Sequence, residues 1–482
     1  MQFINCTTFK DIYFDTIKFK DYIDTMTIWI PELDQKLPRY LAIATAIEHA
    51  VDTGQLNPGD RLPPQRDLAD ALHVTVGTVS RGYTEAERRG YTYGEVGRGT
   101  YIRNPESLDP WPDNSPEPEE VDFSLSLPVI LREEKEAFSQ TLRDISADPK
   151  CGRLLNYYHD SALPTQKEAV ANWLSKINIA CDPQQLLITA GSQHGLNVVL
   201  PALLQQGQTL LTADLTYPSI KSQCRSFGIR IRGLEMDDEG ICPDALKHAC
   251  EQENKPSALY LVPTLQNPTS AVMSLQRRQA LIEIAQKHKL WIIEDDVHSF
   301  LITDPPPALV SLAPHQTIYL SSVAKCLTPG LRTGFLLAPQ ELRPKLLAGI
   351  HSTMWMPPPL MVEVTARWFQ NGTADRLIEL KRQENHRRQQ LAQNILAKYQ
   401  PKSHPFGIML WLELPDPWYS EHLIALARER GVKLIGAGAF AVNRRTVPQA
   451  VRLSIGLPTN AGLERGLRTI NELLSNHPGP SY

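Results

Sequence analysis

Residues 317–335 read TIYLSSVAKCLTPGLRTGF, and the reading of the whole chain turns on the lysine in their midst. The run TIYLSS (317–322) is apolar and β-branched, as a buried strand is. Lys325 follows it in a loop of small residues, with Ser322 three positions before it and Arg332 seven after it. A lone lysine is ordinarily a solvated surface residue. One held between apolar runs loses solvation, and desolvation together with a nearby guanidinium brings an amine toward the range where it reacts as a nucleophile. Ser322 and Arg332 supply a hydroxyl and a cation suited to a phosphate.

Four other apolar runs share the strand pattern: QQLLITA (184–190), TLLTAD (209–214), SALYLVP (257–263) and LWIIEDD (290–296). Helical patterns fill the gaps, as in SLQRRQALIEIAQKHK (274–289). Such alternation predicts an α/β domain with a mostly parallel, buried sheet. Ligands of these sheets gather at the carboxyl ends of the strands. Three further motifs sit there. Gly191-Ser192-Gln193 opens a helix, whose free N–H groups can receive an anion; alone it is equally an ordinary turn. Asn267, in QNPT, offers an amide at a strand end, although Asn-Pro by itself is a turn signal. Glu294-Asp295-Asp296 closes LWII. Carboxylates there need partners; a protonated pyridinium nitrogen is one, and a helix N-terminus is the plain alternative.

At 482 residues the chain exceeds the roughly 250 that one core usually serves, so two or more domains are expected. A hydrophobic fraction of 42% with 21% charged residues is ordinary globular composition, which argues against a disordered or membrane-embedded chain. No apolar run reaches the roughly 20 residues of a spanning helix, and no signal-peptide pattern is visible. The seven cysteines form no C-x-x-C pair and no zinc-ligand spacing, which fits a reducing compartment. A cytoplasmic protein is expected, with no metal site. The net charge of -4 argues against a broadly basic nucleic-acid coat but leaves room for a local DNA-reading patch.

Residues 104–120, NPESLDPWPDNSPEPEE, read as a Pro- and acid-rich linker. Residues 1–25 are dense in Phe, Ile, Lys, Asp and Thr and contain no Pro, Gly or Ala. They are expected to be a non-native extension ahead of a start at Met26, or a flexible arm. Between these segments, PRYLAIATAIEHAVD (38–52) carries Leu41, Ala44, Ile47 and Val51 at helical spacing. A turn at Asn57-Pro58-Gly59-Asp60 precedes a short helix, Arg66 to Leu72. His73-Val74 turns, Thr75 caps, and a second helix runs from Val76 to Arg89. This is a helix-turn-helix, with the second helix placed to enter a major groove. Val79 and Tyr83 are expected in its core. YTYGEVGRGTYI (91–102) then reads as a hairpin, a wing with Arg98 at its tip.

The string from PGDRLPPQRDLADAL through TVGTVSRGYTEAERRG to GEVGRGTYI resembles the GntR-type winged helix over residues 38–103. The resemblance implies operator contacts from Arg66, Thr75, Thr78, Arg81 and Arg98. Many such modules carry arginines where this chain has Val76 and Ser80, which implies another operator sequence. The four motifs of the second domain, in order, resemble the fold-type-I pyridoxal-phosphate enzymes of the aspartate aminotransferase superfamily, over about residues 121–475. That resemblance implies pyridoxal 5'-phosphate as cofactor, held covalently by Lys325. It implies Asp295 as partner of the pyridine nitrogen and Asn267 as partner of the ring hydroxyl. Ser192, Gln193, Ser322 and Arg332 would hold the phosphate, and Tyr217 would stack on the ring. Arg452, in VRLSIG, would clamp a substrate carboxylate. Tyr157 resembles the tyrosine that reaches the phosphate of a partner subunit.

The chain departs from that pattern at four places. His298 stands where relatives carry a tyrosine on the ring hydroxyl, and joins Lys325 and Asp295 in the expected catalytic set. Ala162 and Lys167 replace a usual glycine and arginine, and Ala324 a frequent serine. A winged helix (34–103), a linker and an aminotransferase-like domain of large and small subdomains together resemble the MocR-like regulators. This implies a homodimer that binds operator double-stranded DNA and senses an amino compound or the cofactor itself. The alternative is an active aminotransferase that carries a DNA-binding module.

Overall fold

Residues 29–95, 99–102, 120–252, 256–443 and 447–476 are described by a computed structural model, and the chain divides after residue 104 into two units. In the first, helix α1 (Arg39–Asp52) buries Ala42, Ile43, Ala44, Ile47 and Ala50. This face is rotated from the expected stripe, so that Leu41 and Val51 are only half-buried. Close helix contact explains the rotation. After α2 (Gln65–Leu72) the chain turns through His73 at a left-handed φ of 50° and enters α3 (Val76–Arg88). Gly82 of α3 lies so near α1 that a Cβ on it would stand 2.8 Å from Cγ2 of Ile43. Only glycine lets Ile43 lead the packing.

Thr75 opens α3 as its cap, with Oγ1 accepting from the amide of Thr78 at 3.2 Å. Val79 and Tyr83 point into the core, where the Tyr83 hydroxyl donates to the carbonyl of Pro63 at 2.8 Å. Strands β1 (Thr92–Glu95) and β2 (Gly99–Ile102) pair antiparallel as the wing. Its tip, Arg98 included, lies outside the described residues, as do residues 1–28 and 103–119.

The second unit is built on a seven-stranded sheet. Its strands are β3 (Leu187–Thr189), β4 (Thr209–Ala213), β5 (Arg230–Leu234), β6 (Pro256–Leu261), β7 (Trp291–Asp295), β8 (Thr317–Ser322) and β9 (Gly334–Leu337). The order is β3-β9-β8-β7-β6-β4-β5. All run parallel except β9, which is antiparallel to both neighbours. The inner strands are apolar on both faces because helices cover both, which is why they read as continuous hydrophobic runs and not as alternating ones. Helix α4 (Ser192–Leu203) follows β3 through Gly191, whose φ of 85° suits glycine. Helix α5 (Leu275–Lys287) is capped by Ser274, whose side chain accepts from the amide of Arg277.

A smaller sheet follows, of β10 (Lys402–Ser403), β11 (Met409–Glu413), β12 (Ile435–Gly436) and β13 (Ala450–Ser454), in the order β10-β11-β13-β12. Leu410, Leu412, Val451 and Leu453 pack with Leu463, Leu467 and Ile470 of the helix Asn460–Asn476. The chain arriving from the linker joins this core: Val121–Asp122 pairs in parallel with Val432–Lys433, and Phe123 is fully buried. Among the described residues no helix is long and apolar enough to cross a membrane.

The α1–α3 contact gives a test. Gly82→Ala should lower the stability of the N-terminal unit by about 1–3 kcal/mol through overpacking, against the gain of about 1 kcal/mol in helix propensity. Urea titration with hydrogen exchange read at α1 amides measures it; an unchanged or raised midpoint would contradict the packing.

Candidate functional site

Successive side chains of a strand face opposite ways, and β7 uses this to separate three neighbouring carboxylates. Glu294, fully buried, faces away from the strand ends' cleft: its two oxygens accept from the amides of Leu309 at 2.8 Å and Val310 at 2.9 Å. Burial and the neighbouring Asp296 push its carboxyl up to about 8, while those amides and Arg278 work against the shift. The helix-terminus alternative therefore holds for Glu294. Asp296 accepts from the Tyr319 hydroxyl at 3.2 Å. Asp295 turns to the opposite side from Glu294. Its Oδ2 accepts from the Tyr260 hydroxyl at 2.7 Å, and its buried Oδ1 has no partner. Burial raises Asp295 to about 6; the Tyr260 hydrogen bond opposes this, Asp296 adds to it, and Lys325 opposes it.

Ser192, Tyr217, Asn267, Asp295, His298, Lys325 and Arg452 converge on one cavity of about 90 Å³. Burial, helped by the guanidiniums of Arg452 and Arg332 and opposed by Asp295, brings the Lys325 amine down to about 8. Burial likewise lowers Arg452 to about 10. The guanidinium of Arg452 donates through Nη1 to Asn267 Oδ1 at 3.0 Å and through Nη2 to the carbonyl of Ser124, and it lies 5.0 Å from the Phe440 ring centre. Its Nε has no partner. His298 is 2% exposed and both ring nitrogens are unpaired. Burial, then Lys325 and Arg452, hold its imidazole down at about 3, so it is neutral at physiological pH.

The other residues expected at this site do not line the cavity itself. Gln193 donates to the Ser219 hydroxyl at 3.0 Å, and Ser219 does line it. Ser322 is buried at the end of β8 with Oγ unpaired. Arg332 is exposed and donates to the carbonyl of Ala190 at 2.9 Å; a Cβ on Gly191 would meet it at 2.8 Å. Gln193 and Arg332 thus lie at the start of α4. Tyr157 is different: it is 81% exposed and meets the Trp355 ring edge-on at 6.0 Å, with no contact to this chain's cavity. The replacement residue Lys167 is 4% exposed and bonds Asp160 at 2.9 Å, which Arg343 also meets at 2.7 Å. Three contributors carried no signal in the sequence: Tyr260 reads as core, Phe440 as one aromatic among many, and Ser124–Leu127 as the motif-free start of the second domain.

On the first unit, Thr75 is exposed just ahead of α3 and Arg81 on it, Arg66 is exposed on α2, and Thr78 is half-buried with its hydroxyl 2.9 Å from that of Thr75. Val76 is 43% exposed on the same helix. These side chains form the outer face of the helix-turn-helix, opposite Val79 and Tyr83.

The family model of aminotransferases of class I and II matches residues 124–470. The chain belongs to that family. Ahead of the aminotransferase domain, the model of bacterial regulatory proteins of the gntR family matches residues 39–102, so this member carries a gntR-type helix-turn-helix domain in the MocR-like arrangement. The chain is similar to the HTH-type transcriptional regulator YdeF of Bacillus subtilis, at 29% identity over 93% of this chain and 97% of that one. It is similar to the pyridoxine biosynthesis transcriptional regulator PdxR of Corynebacterium glutamicum, at 27% identity over 71% of this chain and 75% of that one. Among solved structures it resembles LysN, the α-aminoadipate aminotransferase of Thermus thermophilus, complexed with N-(5'-phosphopyridoxyl)-L-leucine. That match has a TM-score of 0.67 and 25% identity, and covers 81% of this chain and 98% of that one.

The state of His298 is testable. An imidazole held at about 3 stays neutral while the unfolded chain protonates below its ordinary 6.5, so this group takes stability away as pH falls between those values. Asp295, raised to about 6, holds its proton when folded and works in the opposite direction from there down to 3.8. In NMR titration the His298 ring should show no protonation step down to about pH 5, well above its lowered midpoint. A midpoint near 6.5 would show that the ring is not desolvated.

Proposed function

We propose that this chain is a DNA-binding transcriptional regulator whose aminotransferase-like domain holds pyridoxal 5'-phosphate on Lys325 and senses an amino compound. The observation that carries the reading is a buried amine brought to about 8, set beside Asp295 and Arg452, in a chain that also bears a gntR-type domain. The residues present fit the cofactor. Asp295 Oδ1, Ser322 Oγ and both nitrogens of His298 are buried without partners, and a buried polar atom without a partner is costly unless something supplies one. A protonated ring nitrogen suits Asp295, a ring hydroxyl suits His298 and Asn267, and a phosphate suits Ser322, Arg332 and the amino end of α4. The complexed ligand of LysN belongs to the same chemistry.

When bound, this cofactor supplies a carbonyl for a primary amine and a ring that withdraws electrons from the substrate carbon. The chain's residues do the rest. Lys325 Nζ is partly neutral near pH 7, so it can attack a carbonyl carbon and later take up a proton. Asp295 Oδ1 would accept a hydrogen bond from the protonated ring nitrogen. Arg452, with Nε unpaired and Nη2 on a neutral carbonyl, can meet an anionic carboxylate through two N–H groups. In the other unit, Arg66, Thr75, Thr78, Arg81 and Arg98 would contact the operator, and a two-fold dimer would read a paired one. Tyr157, exposed on this chain, would serve the site of a second copy.

The second reading is a working aminotransferase. Its support is the filled set of Lys325, Asp295, Asn267 and Arg452. Sustained keto-acid formation across an amino-acid panel separates the two readings, since only the enzyme predicts it. Two substitutions test the leading one. Lys325→Ala should abolish the absorbance of bound cofactor and any ligand-dependent change in DNA affinity; retention of both would remove the central assignment. Arg81→Ala should weaken operator binding by about 1–3 kcal/mol at fixed salt, as read by mobility shift, and leave cofactor absorbance unchanged.

A further inference from the structure

The polypeptide that leaves the linker is tied to the small sheet before it reaches the cavity. The amides of Val121 and Phe123 donate to the carbonyls of Gly431 at 2.8 Å and Lys433 at 2.9 Å. The next four residues, Ser124, Leu125, Ser126 and Leu127, all line the cavity. Two of their backbone carbonyls accept from the two cations of the site. Arg452 Nη2 donates to Ser124, and Lys325 Nζ donates to Ser126. The Ser126 hydroxyl is itself buried without a partner. So a strap of this chain, bent at Ser124–Leu125 and closed by the Leu127 amide donating to the carbonyl of Leu125 at 2.9 Å, presents two acceptors to a carboxylate-binding guanidinium and a reactive amine.

Neither bond survives filling of the site. When the neutral Lys325 amine condenses with an aldehyde, nitrogen gains a double bond to carbon, and the aldehyde oxygen leaves as water with both amine hydrogens. Nothing then remains of the donation to Ser126. A carboxylate placed on Arg452 is a charged acceptor and outcompetes the neutral carbonyl of Ser124. The strap begins four residues after Glu120, the last residue of the Pro- and acid-rich stretch that leads back to the gntR-type domain.

We propose that Ser124–Leu127 is an internal competitor for the cofactor and ligand site, released when Lys325 and Arg452 are engaged, and that this release is what site occupancy changes at the end of the linker. The inference rests on the assignment of pyridoxal phosphate to Lys325. It places regulation in a segment that meets the two cations through its backbone carbonyls. Cofactor loading removes the Ser126 contact, and a carboxylate that reaches Arg452 while Lys325 stays linked removes the Ser124 contact, so the two act in sequence on one strap; an amine that displaces Lys325 returns its hydrogens and with them the donor to Ser126.

Hydrogen–deuterium exchange on the full chain tests this over residues 121–128. It is measured without additive and with pyridoxal phosphate, with absorbance of the bound cofactor recorded on the same samples. Loading should speed exchange at Ser124–Leu127 by about tenfold or more, a factor set by loss of the tethering bonds. Cofactor-free Lys325→Met, which cannot donate to Ser126, should show the faster exchange from the outset. If absorbance shows bound cofactor and exchange is unchanged or slower, the strap proposal is overturned while the cofactor assignment stands. If no cofactor binds, both fall. Unchanged exchange in Lys325→Met overturns the strap proposal independently of any ligand.

Discussion

Asp295 has one oxygen bonded to Tyr260 and the other bonded to nothing, and the site around it is organised by that asymmetry. A buried carboxylate satisfied at both oxygens, as Glu294 is by Leu309 and Val310, is a structural group and has no capacity left. Asp295 keeps one acceptor directed at the cavity. Strand alternation is what separates the two roles, since one residue's advance along β7 reverses the facing direction. Tyr260 does more than fill space: its hydrogen bond favours the ionised form that burial opposes. A cation arriving at Oδ1 shifts the balance further toward the carboxylate.

The cations of the cavity act on one another in a related way. Lys325 is lowered by burial and then by Arg452 and Arg332, and His298 by burial and then by Lys325 and Arg452. Positive charge in a poorly solvated cleft, with exposed Arg332 beside it, lowers the proton affinity of the bases there and holds His298 neutral. Anions reverse this. A phosphate near Arg332 and a carboxylate on Arg452 would cancel the field that lowers Lys325, and its amine would bind protons more readily. Ligand occupancy and the protonation of Lys325 are therefore coupled through charge alone, with no movement of the lysine required.

Much of this was legible in the sequence where composition alone decides structure. TIYLSS is strand β8 residue for residue, because an apolar run between two buried neighbours can do little else. QQLLITA shortens to Leu187–Thr189, since the amide of Gln185 turns back to the carbonyl of Asp182. The α1 stripe came out rotated because the periodicity of one helix says nothing of a glycine on another. Tyr260 was invisible for a comparable reason. It sits within SALYLVP, where an aromatic residue reads as core, and only the pairing of Tyr260 with Ile293 across β6 and β7 brings its hydroxyl to Asp295. The strap carries no motif of its own at the start of the second domain, because a backbone carbonyl has no letter in a sequence.

The departures from the family pattern then divide by what they touch. Lys167 lies buried against Asp160, with Arg343 bonded to the same carboxylate, so this departure is answered within the scaffold. His298 is in the cavity. A phenol can donate a hydrogen bond and can ionise; a neutral imidazole donates from one nitrogen, accepts at the other, and at physiological pH does neither as an ion. With both nitrogens unpaired, His298 has its full capacity left for a bound group but contributes no charge to it. Among the residues that line the cavity, positive charge is thus confined to Lys325 and Arg452, with exposed Arg332 outside it at the start of α4. Of these, only Lys325 can exchange a proton near pH 7, and it is also one of the two groups that hold the strap. Proton transfer and release of the strap consequently depend on the same nitrogen, which gives a regulator a direct reason to keep this lysine even where turnover is slow or absent.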